Sequence, residues 1–72
     1  MNIIEEIRSA LTSLGWTRIQ FTQMPNQPYY SILAQSPDKR IVFGASNISE
    51  RDAYNKLLAR DLAMAAEEAN NV

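Results

Sequence analysis

The sequence predicts an α+β fold in the order α-β-β-β-α, a three-stranded antiparallel sheet with both helices on one face. Three observations predict it. Apolar residues recur at helical spacing near both ends of the chain; three short stretches between them have strand character; and short turn-forming segments separate those stretches. At 72 residues the chain is one domain, 1–72, with 67–72 expected to fray. A domain of this size draws only about 3–5 kcal/mol from a single core.

The first helix is expected over residues 2–14, where Ile3, Ile4, Ile7, Leu11 and Leu14 share one side. Asn2 with Glu5 fits a capping box, and Gly15 stands where a left-handed residue ends a helix. Trp16 can then fold back on the last turn. In "TRIQFTQM" (17–24) Ile19 and Phe21 alternate with Arg18, Gln20 and Thr22, a half-buried strand. "PNQP" (25–28) breaks it. In "YYSILAQ" (29–35) Tyr30, Ile32 and Ala34 share one face, and Tyr29, Ser31, Leu33 and Gln35 the other. "SPDK" (36–39) is a turn with Pro37 at its second position, and "RIVFG" (40–44) is a short third strand that a glycine ends. Short connections make the three strands an antiparallel meander. A long helix closes the chain over 49–69, capped by Asn47 with Glu50 or by Ser49 with Asp52. Its apolar arc takes in Ala53, Tyr54, Leu57, Leu58, Leu62, Met64, Ala65 and Ala69.

Composition narrows the function. There is no cysteine and no histidine, which removes thiolate and imidazole zinc sites and Ser/Cys–His nucleophiles. No metal site, cofactor or catalytic residue set is expected, and the chain reads as a non-enzyme. Seven basic residues face eight acidic ones, a net charge of −1, without the basic excess usual in a phosphate binder. No apolar run reaches the roughly 18 residues of a membrane span, and the N-terminus is not expected to act as a signal peptide. A cytoplasmic protein is the expectation.

With the element order in place, the chain resembles the double-stranded RNA-binding domain over nearly its whole length. That family grips RNA with a face of the first helix, the loop between the first two strands, and a basic start to the last helix. The resemblance implies that Ser49, Glu50, Arg51, Asp52, Ala53 and Tyr54 stand where Ser-Lys-Lys-x-Ala-Lys is expected. Ser49 and Ala53 match, and Arg51 alone keeps a basic charge. Glu50 and Asp52 present the wrong sign to phosphate. The loop offers Asn26 and Gln27 but lacks the family's Gly-Pro-x-His pattern.

Two further features stand out. Asp61 sits among Leu57, Leu58, Met64 and Ala65 near the middle of the apolar arc, where an unpaired carboxylate is costly. It calls for a partner, Arg8, Arg18, Arg40 or a tyrosine hydroxyl; an Arg8–Asp61 ion pair is the pairing adopted here. The sheet's second face, with Tyr29, Leu33 and Val42 among polar residues, suits docking or a homodimer. The leading expectation is a small module that binds a protein, an accessory or inhibitor protein of the kind a phage or mobile element carries. Its binding residues would be Asn26, Gln27, Tyr29, Arg51 and Asn55. The alternative is a binder of double-stranded RNA or DNA with a reduced basic face, using Asn26, Gln27, Arg51, Lys56 and Arg8.

Overall fold

A computed structural model describes residues 2–70. The elements are α1 (Ile3–Ser13), β1 (Thr17–Gln23), β2 (Tyr30–Gln35), β3 (Ile41–Ser46) and α2 (Glu50–Asn70). The strands pair antiparallel in chain order, β1-β2-β3. Both helices pack on the face that carries Phe21, Ile32, Ala34 and Val42.

Local chemistry sets the boundaries. Asn2 Oδ1 accepts a hydrogen bond from the Glu5 N–H at 2.9 Å, satisfying one orphan donor of α1. At the other end Gly15 takes φ +93°. The Trp16 N–H then donates to the Leu11 carbonyl and the Gly15 N–H to the Thr12 carbonyl, both at 3.0 Å. These are the paired bonds of a Schellman motif. They fold Trp16 back beside Leu11, and both side chains are buried. Of the two caps open for α2, Ser49 is the one used: its Oγ accepts from the Asp52 N–H at 3.0 Å. The helix runs on through Asn70. Residues 67–70 of the expected frayed tail are therefore helical, and 71–72 lie outside the described residues.

Two non-glycine residues adopt left-handed backbone. Lys39, at φ +69°, closes the β2–β3 hairpin. There the Lys39 N–H donates to the Ser36 carbonyl at 2.9 Å and the Ser36 N–H to the Arg40 carbonyl at 2.8 Å. That is a three-residue loop ending in a left-handed position. Arg18, at φ +53°, sits where the β1–β2 register shifts between Thr17 and Gln20. The shift is a bulge that sets Arg18 and Ile19 against Ala34 alone.

The core consists of Ile7, Leu11, Trp16, Ile32, Ala34, Val42, Ala53 and Leu57. Four of these, Leu11, Ile32, Val42 and Leu57, are the largest fully buried side chains, each worth roughly 1.5–3 kcal/mol of burial. One core contact involves no side chain on the sheet side. Gly44 lies inside β3, which runs on to Ser46, so this glycine does not end the strand as expected. A Cβ built on it would stand 2.5 Å from the Ala53 carbonyl oxygen and 2.6 Å from the Leu57 nitrogen. The bare Cα lets the backbone of α2 descend onto β3. Two other expectations are corrected. Val42 faces the core, because Gln35 pairs with Ile41 and so directs Ile41 and Phe43 outward. Leu62 is exposed: it lies about 140° around the helix from Leu57, beyond the arc that meets the sheet.

Replacing Gly44 by alanine forces backbone apart from backbone. Gly44→Ala should cost about 2–3 kcal/mol in urea unfolding, at the upper end for overpacking. Gly15→Ala, which strains one left-handed residue and sets its Cβ 3.3 Å from Pro37 Cγ, should cost about 1–2 kcal/mol.

Candidate functional site

The charges are best understood from Arg40, the residue that follows the β2–β3 turn. Its guanidinium donates to Asp61 Oδ1 from Nε at 3.2 Å and from Nη2 at 3.1 Å. Nη2 also reaches Asp38 Oδ2 at 3.1 Å, and Nη1 reaches Glu68 Oε2 at 3.0 Å. The Arg40 side chain keeps 11% of its exposure and that of Asp61 20%. Asp61 therefore has a shielded partner, and that partner is Arg40 in place of the expected Arg8. Arg8 is engaged elsewhere: its guanidinium carbon lies 5.0 Å from the centre of the Phe21 ring, within cation–π range. The Asp61 hydrogen bond, followed by the charges of Asp61 and Glu68, holds the Arg40 pKa above the ordinary guanidinium value against the cost of desolvation. A cation stabilised in this way contributes fully below its unfolded pKa, so Arg40 stays charged throughout the accessible pH range.

The start of α2 is likewise internally committed. Ser46 Oγ accepts from the Ile48 N–H at 2.9 Å and donates to Asp52. Lys56 Nζ stands 3.3 Å from the same carboxylate. The Ser46 hydrogen bond first, then Lys56, holds Asp52 below its ordinary 3.8. Arg51 pairs with Glu6 of α1 at 3.5 Å, an exposed pair that contributes little energy but occupies the cation. Glu50, the first residue of α2, keeps one carboxylate oxygen buried without a hydrogen-bond partner.

Asn26 and Gln27 are exposed in the β1–β2 connection. Tyr29 is half-buried just before β2, outside the sheet. Asn55 is exposed on α2, one turn beyond Arg51. Because Tyr30 pairs with Ser46, the β1–β2 connection and the start of α2 share one end of the sheet. Among the described residues no hydrogen bond or ion pair joins these two segments. The cations expected to serve a duplex also fail to converge. Arg8 covers Phe21, Arg51 meets Glu6, and Lys56 meets Asp52.

A different surface emerges from the strand register. Leu33 pairs with Gln20 on one side and Phe43 on the other. Ser31 pairs with Thr22 and Ala45, and Gln35 with Thr17 and Ile41. Directly paired residues share a face, so these nine side chains make the open side of the sheet. None is charged. Leu33 keeps 36% of its exposure, Phe43 44% and Ile41 55%, and the three adjoin across β2 and β3. Leu33 was legible from alternation. Ile41 and Phe43 were not, because in "RIVFG" a run of three apolar residues hides which way each points. The described residues form no pocket.

Comparison with protein-family models, with curated proteins and with solved structures finds no match to this chain.

Asp52 supplies a pH prediction. A carboxylate whose pKa falls on folding adds stability above its unfolded pKa, near 3.9, which is lost as pH drops through the folded value. Asp52→Asn should therefore lower the urea midpoint at pH 7 and shrink the further loss between pH 4 and pH 2. Arg40→Met should lower the midpoint as well. In a double-mutant cycle with Asp61→Asn the two losses should be less than additive, because each substitution breaks the same contact.

Proposed function

We propose that this chain is a small non-enzymatic interaction module, on a scaffold like that of the double-stranded RNA-binding domain, that docks a protein on the open face of its sheet. The observation that carries the reading is the uncharged nine-residue face with Leu33, Ile41 and Phe43 exposed at adjoining positions. Interface centres are poor in charge and rich in aromatic and aliphatic anchors. A phosphate backbone asks for the reverse, several cations converging so that counterions are released. Here Arg8, Arg40, Arg51 and Lys56 are already engaged within the molecule. The other three cations, Arg18, Lys39 and Arg60, lie on β1, on the β2–β3 turn and on α2. A module of this size suits an accessory or inhibitor role, in which binding itself is the activity.

Two measurements test the reading. A duplex of about 20 base pairs, as RNA or as DNA, should show no salt-sensitive binding; micromolar affinity that weakens steeply with salt would favour a nucleic-acid binder. In cross-linking with extract from the source cell, wild-type protein should capture a partner that Leu33→Lys loses while keeping its circular dichroism. If Tyr29→Ala or Arg51→Ala loses that partner and Leu33→Lys does not, docking lies at the β1–β2 end instead.

A further inference from the structure

We propose that β3 pairs along its open edge with β3 of a second copy, antiparallel, so that two chains share one continuous sheet. This goes beyond the docking role proposed above, since it uses a strand edge and not the sheet face. The sheet has two edges, and they are treated differently. An edge strand presents unpaired N–H and C=O groups, which proteins usually guard with charge, proline or a bulge. On β1 a bulge interrupts the register, a charged residue, Arg18, sits in it, and the Arg8 guanidinium comes within 3.5 Å of the Ile19 carbonyl. On β3 all six residues pair with β2 in unbroken register. The strand reads "IVFGAS", with no charge and no proline.

The side chains agree with the backbone. Exposure on the open face is higher at Phe43 and Ile41, on the edge strand, than at Leu33 in the central one. A strand added beside β3 would cover the flanks of those two residues, and cross-strand apolar pairs stabilise such an addition. The strand that fits is uncharged and antiparallel, with large apolar residues on the outer face. β3 itself meets that description. Under a two-fold axis perpendicular to the sheet, outer residues face outer residues. Phe43 then lies opposite Phe43 or Ile41 of the other copy, and the contact closes as an isologous dimer. A net charge of −1 gives the two chains little to repel them. Six residues make an edge only about 20 Å long. A contact along so short an edge buries less surface than the roughly 1,200 Å² of a stable interface, so the dimer should be weak, with a Kd on the order of 100 µM.

Sedimentation equilibrium across about two decades around that concentration, with amide exchange measured at both ends, tests the pairing. Wild-type protein should move from monomer to dimer mass as concentration rises, and amides of β3 should gain protection together with it. Ile41→Lys, checked for native circular dichroism, should stay monomeric, whereas Leu33→Lys, on the central strand, should dimerise as wild type does. A chain that stays monomeric throughout, or dimerises without new protection in β3, overturns the proposal. So does a dimer lost on Leu33→Lys, since that places the contact on the sheet face. Partner capture at concentrations where the chain is monomeric reads the docking role separately, so either proposal can fail alone.

Discussion

The approach of α2 to the sheet rests on an atom that is not there. Gly44 offers no Cβ, and the backbone of α2 at Ala53 and Leu57 occupies the space one would fill. Ala53, itself small and fully buried, completes the close approach. Leu57 then reaches the core beside Ile32 and Val42. From this seating follows the rotation of α2. Leu57 points down, Asp61 follows it one turn on toward Arg40, and Leu62 is turned away. A chain this short has few such contacts to share the burden, so the geometry at one position carries much of the fold.

The same seating decides where charge goes. Arg40 leaves the hairpin turn and gathers Asp38, Asp61 and Glu68, tying the turn to the far half of α2. At the other end of that helix Ser46, Asp52 and Lys56 tie it to the close of β3. Cations spent on internal ties are not gathered into a basic surface. The nine paired positions of the open face, in contrast, hold no charge, and Leu33, Ile41 and Phe43 stand exposed there among polar neighbours. The internal ion pairs thus lie on the helix side of the sheet and the charge-free paired positions on the other. The proposed docking role follows from that separation more than from any single residue.

Much of the fold was legible because its signals are local. The helical spacing of Ile3, Ile7 and Leu11, the alternation around Ile19 and Phe21, and the Asn2 and Gly15 signals all act within a few residues of one another. What escaped was decided across the chain. Whether Val42 or Phe43 faces inward depends on register with β2, which a three-residue apolar run cannot disclose. Gly44 looked like a strand end because its purpose, a backbone contact with Ala53 and Leu57 of the following helix, leaves no local mark. Asp61 plainly demanded a partner, yet three arginines were available, and only tertiary placement selects Arg40. For the candidate site, Leu33 was readable from its own strand, whereas the charge-free face exists only once three strands are set in register.

Sheet order that matches chain order has a kinetic side. Each strand pairs with its neighbour in sequence, and the β2–β3 loop is a three-residue reversal, so the loops to be closed are short. Contacts of low sequence separation let small domains fold quickly. The exceptions are the ties that span most of the chain, among them Glu6 with Arg51. The hairpin and the Trp16 fold-back can therefore assemble before α1 meets α2. Seating α2 on the sheet then has one position to find, the gap that Gly44 leaves for the helix backbone.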